Sequence, residues 1–134
     1  MTDPHGALIY TMVLASASDG AMSDSELESL SEMVRFLPVF RGFDSAQIAD
    51  RTRECAQLLE DEDGLDETLD AIRDGLPDHL RETAYAIACD VVAADGKASQ
   101  EELRLLEMLR YKLSIDRLHS AAIERGARAR HMTL

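Results

Sequence analysis

SDGAMSDSELESL, residues 18–30, returns as ADGKASQEELRLL, residues 94–106. The copies share D-G-x-x-S-x-x-E-L-x-x-L at a constant offset. Asp95 stands 76 residues after Asp19, and Ser99, Glu102 and Leu103 stand 76 after Ser23, Glu26 and Leu27. An apolar, alanine-rich run precedes each copy. Two copies predict a duplicated helix–turn–helix unit, about residues 7–37 and 83–113, and not a solenoid array, which would show more repeats. Within each copy Ser-x-x-Glu reads as a capping box: the serine oxygen and the glutamate carboxylate each accept one backbone N–H that the helix start leaves unpaired. Asp-Gly reads as a tight turn, with glycine in the left-handed conformation that ends the preceding helix.

Working outward, the chain is helical on both sides of these motifs. Leu8, Ile9, Met12 and Val13 form an amphipathic stripe over residues 7–18. After Ser23, the residues Leu27, Leu30, Met33, Val34 and Leu37 form a second, which Pro38 ends. Asp44 with Gln47 offers another capping box, opening a helix through Ile48, Cys55, Leu58 and Leu59. A fourth helix over about residues 65–74 turns Leu65, Leu69 and Ile72 inward, and Gly75 stops it. Pro77 suits the first turn of a fifth, because its missing N–H would be unpaired there anyway. Ala84, Ile87, Ala88, Val91 and Val92 make that fifth helix apolar on most sides, so it is expected at the centre of the fold. Leu103, Leu106, Leu109 and Leu113 follow Ser99, and Ser114-Ile115-Asp116 begins a last helix ending near Ala127. Connections are short and no strand pattern occurs. The expectation is one all-α domain over residues 1–134 with about seven helices.

The 134 residues include no Trp, three Phe and three Tyr, so aliphatic side chains must fill the core. Cys55 and Cys89 are isolated in helical runs, which reads as two buried thiols and no disulfide. The N-terminus lacks the basic flank of a signal peptide, and no apolar run approaches membrane-spanning length, so a cytoplasmic protein without membrane insertion is expected. A net charge of −12 argues against a nucleic-acid partner. The charge is polarised: seven acids and no base lie between Glu60 and Asp70, and seven bases against three acids lie between Arg104 and Arg130. Two solvated faces account for this, and so does a dipolar surface that meets protein partners.

Helix punctuation explains every residue type in the repeat. One detail goes further, since Asp19 and Asp95 follow helix ends, where the macrodipole disfavours negative charge. The start of the next helix would offset that, or a bound cation would. A tight turn brings Asp19 towards Glu26 and Asp95 towards Glu102, and two-fold packing of the units would gather all four carboxylates. Such a cluster calls for protonation or for a hard divalent cation, Ca²⁺, Mg²⁺ or Mn²⁺. The EF-hand loop matches only in its second half (Asp19, Gly20, Ser23, Glu26), because Ala15 and Ala17 stand where its first ligands belong. Asp90, inside the apolar run, needs a partner: an arginine such as Arg81, Arg104 or Arg110, or a metal. His5, His79, His119 and His131 form no metal-binding pair, and the hydrolase, P-loop and dinucleotide fingerprints are missing. No catalytic residue is assigned.

The doubled motif, the segment LPDHLRETAYAIA (residues 76–88) and the closing ERGARARH (residues 124–131) resemble the TerB family of bacterial tellurite-resistance and stress-response proteins over roughly residues 7–130. The resemblance implies a helical, non-enzymatic protein of about seven helices. It would act with TerC-type membrane partners and bind metal through acidic residues, here Asp19, Glu26, Asp95 and Glu102. Such domains also occur as modules in other proteins, co-chaperones included. The reading is a divalent-metal-binding adaptor. Its rivals are a metal-free interaction module whose motifs are only caps, and an enzyme using the same carboxylates. Oligomeric state is left open.

Overall fold

The structure, a computed structural model, describes residues 2–16, 22–94, 96 and 98–134. Among these, seven α-helices follow one another: α1 (Pro4–Ser16), α2 (Asp24–Phe36), α3 (Ile48–Leu59), α4 (Gly64–Gly75), α5 (Arg81–Ala94), α6 (Gln100–Lys112) and α7 (Arg117–Arg130). Single 3₁₀ turns at Pro38–Phe40 and Ser45–Gln47 lie between α2 and α3 and one at Asp78–Leu80 between α4 and α5, and no strand is present among the described residues. The fold is all-α, as the sequence predicts.

The centre is shared by two helices. α5 is largely buried, but α1 more so: ten of its thirteen residues, from Gly6 to Ala15, are buried, so it has no solvent face to be amphipathic about. It packs on α3, α4, α5 and α6, and α5 packs on α1, α6 and α7. A stripe of four apolar positions selects one face of α1. The small and hydroxylated residues between them are buried as well, and Thr11 satisfies its hydroxyl on the Ala7 carbonyl at 2.9 Å. Leu65 and Leu103, read as inward-facing, are exposed instead.

The termini of the helices follow local chemistry closely. Both capping boxes form. Ser23 Oγ accepts from the Glu26 N–H (3.2 Å) while Glu26 Oε1 accepts from the Ser23 N–H (2.8 Å). Ser99 Oγ accepts from the Glu102 N–H (3.1 Å) while Glu102 Oε1 accepts from the Ser99 N–H (2.9 Å). Asp44 caps differently from the expected box: its carboxylate accepts from Ala46 two residues on, and a 3₁₀ turn precedes α3. Pro77 likewise precedes a 3₁₀ turn that leads into α5. Ser114 belongs to the stop of α6. It adopts φ 56°, Ile115 donates to the Arg110 carbonyl (3.1 Å) and Ser114 to that of Tyr111 (3.1 Å), the paired bonds of a Schellman motif. Asp116 then caps α7 through the His119 N–H at 2.8 Å.

The acidic and basic stretches meet across α4 and α6. Lys112 Nζ donates to Asp70 Oδ1, and that bond holds the Asp70 carboxyl below its usual range. A carboxyl so depressed stabilises the fold in full above the ordinary carboxylate range, and the contribution disappears as pH falls through the folded-state value. Asp70→Asn is therefore expected to lower the urea midpoint more at pH 7 than at acid pH, where the loss shrinks as pH falls through the folded-state value. Equal losses at both pH values would assign Asp70 a role other than its charge. Next to it, Glu67 is pushed up by desolvation and by its neighbours Asp61 and Asp63, so this acidic run repels itself.

Candidate functional site

Of the four carboxylates expected to converge, Glu26 and Glu102 lie in the described part, and Asp19 and Asp95 lie outside it. Each glutamate commits Oε1 to its own capping box. Glu26 also lines a groove of about 640 Å³ between α2 and the far ends of α5 and α7. Ser16, the last residue of α1, and Ala94, the last of α5, border the same groove. The helices that precede Asp19 and Asp95 in sequence thus both end beside the first-repeat glutamate. Glu102 does not line this groove. Among the described residues, no group of three or more His, Cys, Asp or Glu side chains is placed to hold a metal ion. Gly96 adopts φ +80°, and its N–H donates to the Ala93 carbonyl at 3.0 Å, which is the left-handed turn expected of the second Asp-Gly.

The groove has a polar wall that local spacing did not reveal. Asp90 accepts from Arg130 Nη2 at 2.7 Å and Nε at 3.3 Å, with His131 Nε2 at 3.5 Å. The half-buried aspartate does have an arginine partner, but it comes from the end of α7 and not from Arg81, Arg104 or Arg110. The segment ERGARARH contains both partners, forty residues away in sequence. This ion pair fastens α7 to α5 and places His131 on the border of the groove and of a second cleft.

That cleft, about 630 Å³, lies between α5, α6 and α7. Tyr85 and Cys89 form its inner wall. The Tyr85 hydroxyl donates to Glu124 Oε2 at 2.6 Å, and burial together with the adjacent carboxylate raises its pKa well above the ordinary value. Burial pushes the Cys89 and Cys55 thiols up to about 12. Both are free thiols held protonated near neutral pH, so neither is an activated nucleophile.

A profile of the family described as tellurite resistance protein TerB matches residues 5–125. Comparisons with curated proteins and with solved structures find no significant match. No helix among the described residues is long and apolar enough to cross a membrane.

Proposed function

The chain belongs to the TerB family of tellurite-resistance proteins, and from that premise we propose that it is a non-enzymatic stress-response adaptor that binds a divalent cation. Asp19, Glu26 and Asp95 supply the ligands at the groove, and Glu102, which does not line it, serves its capping box. The observation that carries this reading is the groove. Glu26 faces a space bordered by the last residues of α1 and α5, and Ala94 is bonded directly to Asp95. Glu26 keeps Oε2 outside its capping box, so capping and coordination are compatible in one carboxylate. A donor set made wholly of carboxylate oxygens selects a hard ion, Ca²⁺, Mg²⁺ or Mn²⁺. The separated acidic and basic stretches serve protein partners, a TerC-type membrane protein among them, and the adaptor works in the cytoplasm.

The test is thermal unfolding of the chelator-stripped chain with each cation added separately. A ligand at 100 times its Kd adds roughly 2.7 kcal/mol. Glutamine also completes a capping box, so Glu26→Gln combined with Asp95→Asn is expected to abolish the cation effect while leaving metal-free stability nearly intact. No stabilisation by any of the three ions at millimolar concentration would sink the metal reading.

One observation favours a second reading, a metal-free interaction module: both capping boxes are complete without any ion. Under it, Ser23→Ala and Ser99→Ala each cost on the order of 1 kcal/mol, and cations change nothing in any variant.

A further inference from the structure

We infer that the cleft between α5, α6 and α7 is a binding site for a small amphipathic anion, an apolar body carrying a carboxylate or similar headgroup. It is a different space from the groove of the proposed cation site, and it stands independently of that reading. Its volume of about 630 Å³ lies within the range of roughly 300–1,000 Å³ typical of small-molecule sites. Val92, Leu106 and Ala127 form a buried apolar floor, and Leu103 and Met132 stand at its edge. Leu103 is 48 % exposed, and it lines the cleft wall.

The headgroup's sign follows from Arg110. Five charged or titratable side chains border the cleft beside Tyr85 and Cys89: Glu107, Arg110, Glu124, Arg128 and His131. Only Arg110 among these five is half-buried; the others are exposed and solvated. Among the described residues, the arginines within ion-pair distance of a carboxylate are Arg51, Arg53, Arg73, Arg81 and Arg130. Arg110 is not one of them, and its one hydrogen bond is a long contact, 3.5 Å, to the Ile115 carbonyl. A half-buried guanidinium with most of its five donors uncommitted among the described residues, set against an apolar floor, is a seat for an anion. Glu124 makes no ion pair with Arg110 among the described residues, and its Oε2 accepts from the Tyr85 hydroxyl. In a chain of net charge −12, the two arginines of the cleft offset its two glutamates, and Arg110 is the half-buried one of the four.

The probe is decanoate, with decanol as its neutral counterpart, titrated into the full chain. Binding is followed by amide chemical shifts and by displacement of anilinonaphthalene sulfonate. Decanoate is expected to bind more tightly than decanol, with shifts confined to α5, α6 and α7. Arg110→Gln should weaken decanoate at least about tenfold, as loss of a charge-assisted bond implies, and should leave decanol unaffected. Leu103→Glu, at an exposed position the fold tolerates, should weaken decanoate more than decanol. Equal affinity for the two probes, indifference to both substitutions, shifts outside these helices, or no binding at millimolar concentration would each overturn the proposal.

Discussion

Leu8→Ala is expected to lower the unfolding free energy by about 2–5 kcal/mol, the range for truncating a fully buried leucine where the surroundings relax only partly. Leu8 has no exposed surface, and α1 packs on α3, α4, α5 and α6, so the cavity opens in the middle of the molecule. For a chain of this length the melting temperature should fall by about 10 °C. The comparison is Leu118→Ala on α7, at a leucine 77 % exposed, which should change stability by less than about 0.5 kcal/mol. Calorimetry of the two variants checks the ranking. A small loss at Leu8 would mean that α1 is not the buried axis of the fold.

The second large effect is a reversal of sign between two glycines. Helix propensity favours alanine over glycine by about 1 kcal/mol inside helices. At Gly64, the first residue of α4, a Cβ would lie 2.5 Å from the Leu58 carbonyl oxygen and 2.8 Å from Leu59 backbone atoms. No side chain there can swing aside, so the backbone must shift. Gly64→Ala is expected to destabilise by about 3 kcal/mol. At Gly126, within α7, a Cβ would meet only Arg130 Nη1, at 3.3 Å, the guanidinium nitrogen that does not bond Asp90. Gly126→Ala is expected to stabilise by roughly 0.5–1 kcal/mol. Urea unfolding of both variants settles the pair, and the same sign at both positions would contradict the close approach of α3 and α4.

What the sequence made legible divides along the distance over which each feature is encoded. Ser23 with Glu26 and Ser99 with Glu102 sit three residues apart, and both boxes form as read. Pro38 and Asp116 likewise bound helices where their backbone chemistry says they should, whereas Gly75 ends α4 without a left-handed φ, beside an extended Leu76. The local code was less informative where several turns compete. Asp44 found a nearer donor in Ala46 than the expected box provides, and Ser114 served the end of one helix and not the start of the next. Periodicity failed on α1 because it reports contrast between faces, and a helix surrounded by four others has little contrast. Arg130 as the partner of Asp90, and Arg110 as a member of an apolar cleft, depend on how α7 returns to α5 and on which helices enclose the space. Nothing in the spacing of either arginine carries that information.

The burial of α1 also sets the order of events during synthesis. Leu8, Ile9, Met12 and Val13 leave the ribosome before any of the helices that cover them. The last of those, α6, ends at Lys112. At about 5–20 residues per second, roughly 5–20 s of elongation separate the two. Through that interval the most apolar segment of the nascent chain has no native partner complete around it. It is the segment a ribosome-associated chaperone would hold, and folding waits on the second repeat to enclose the first.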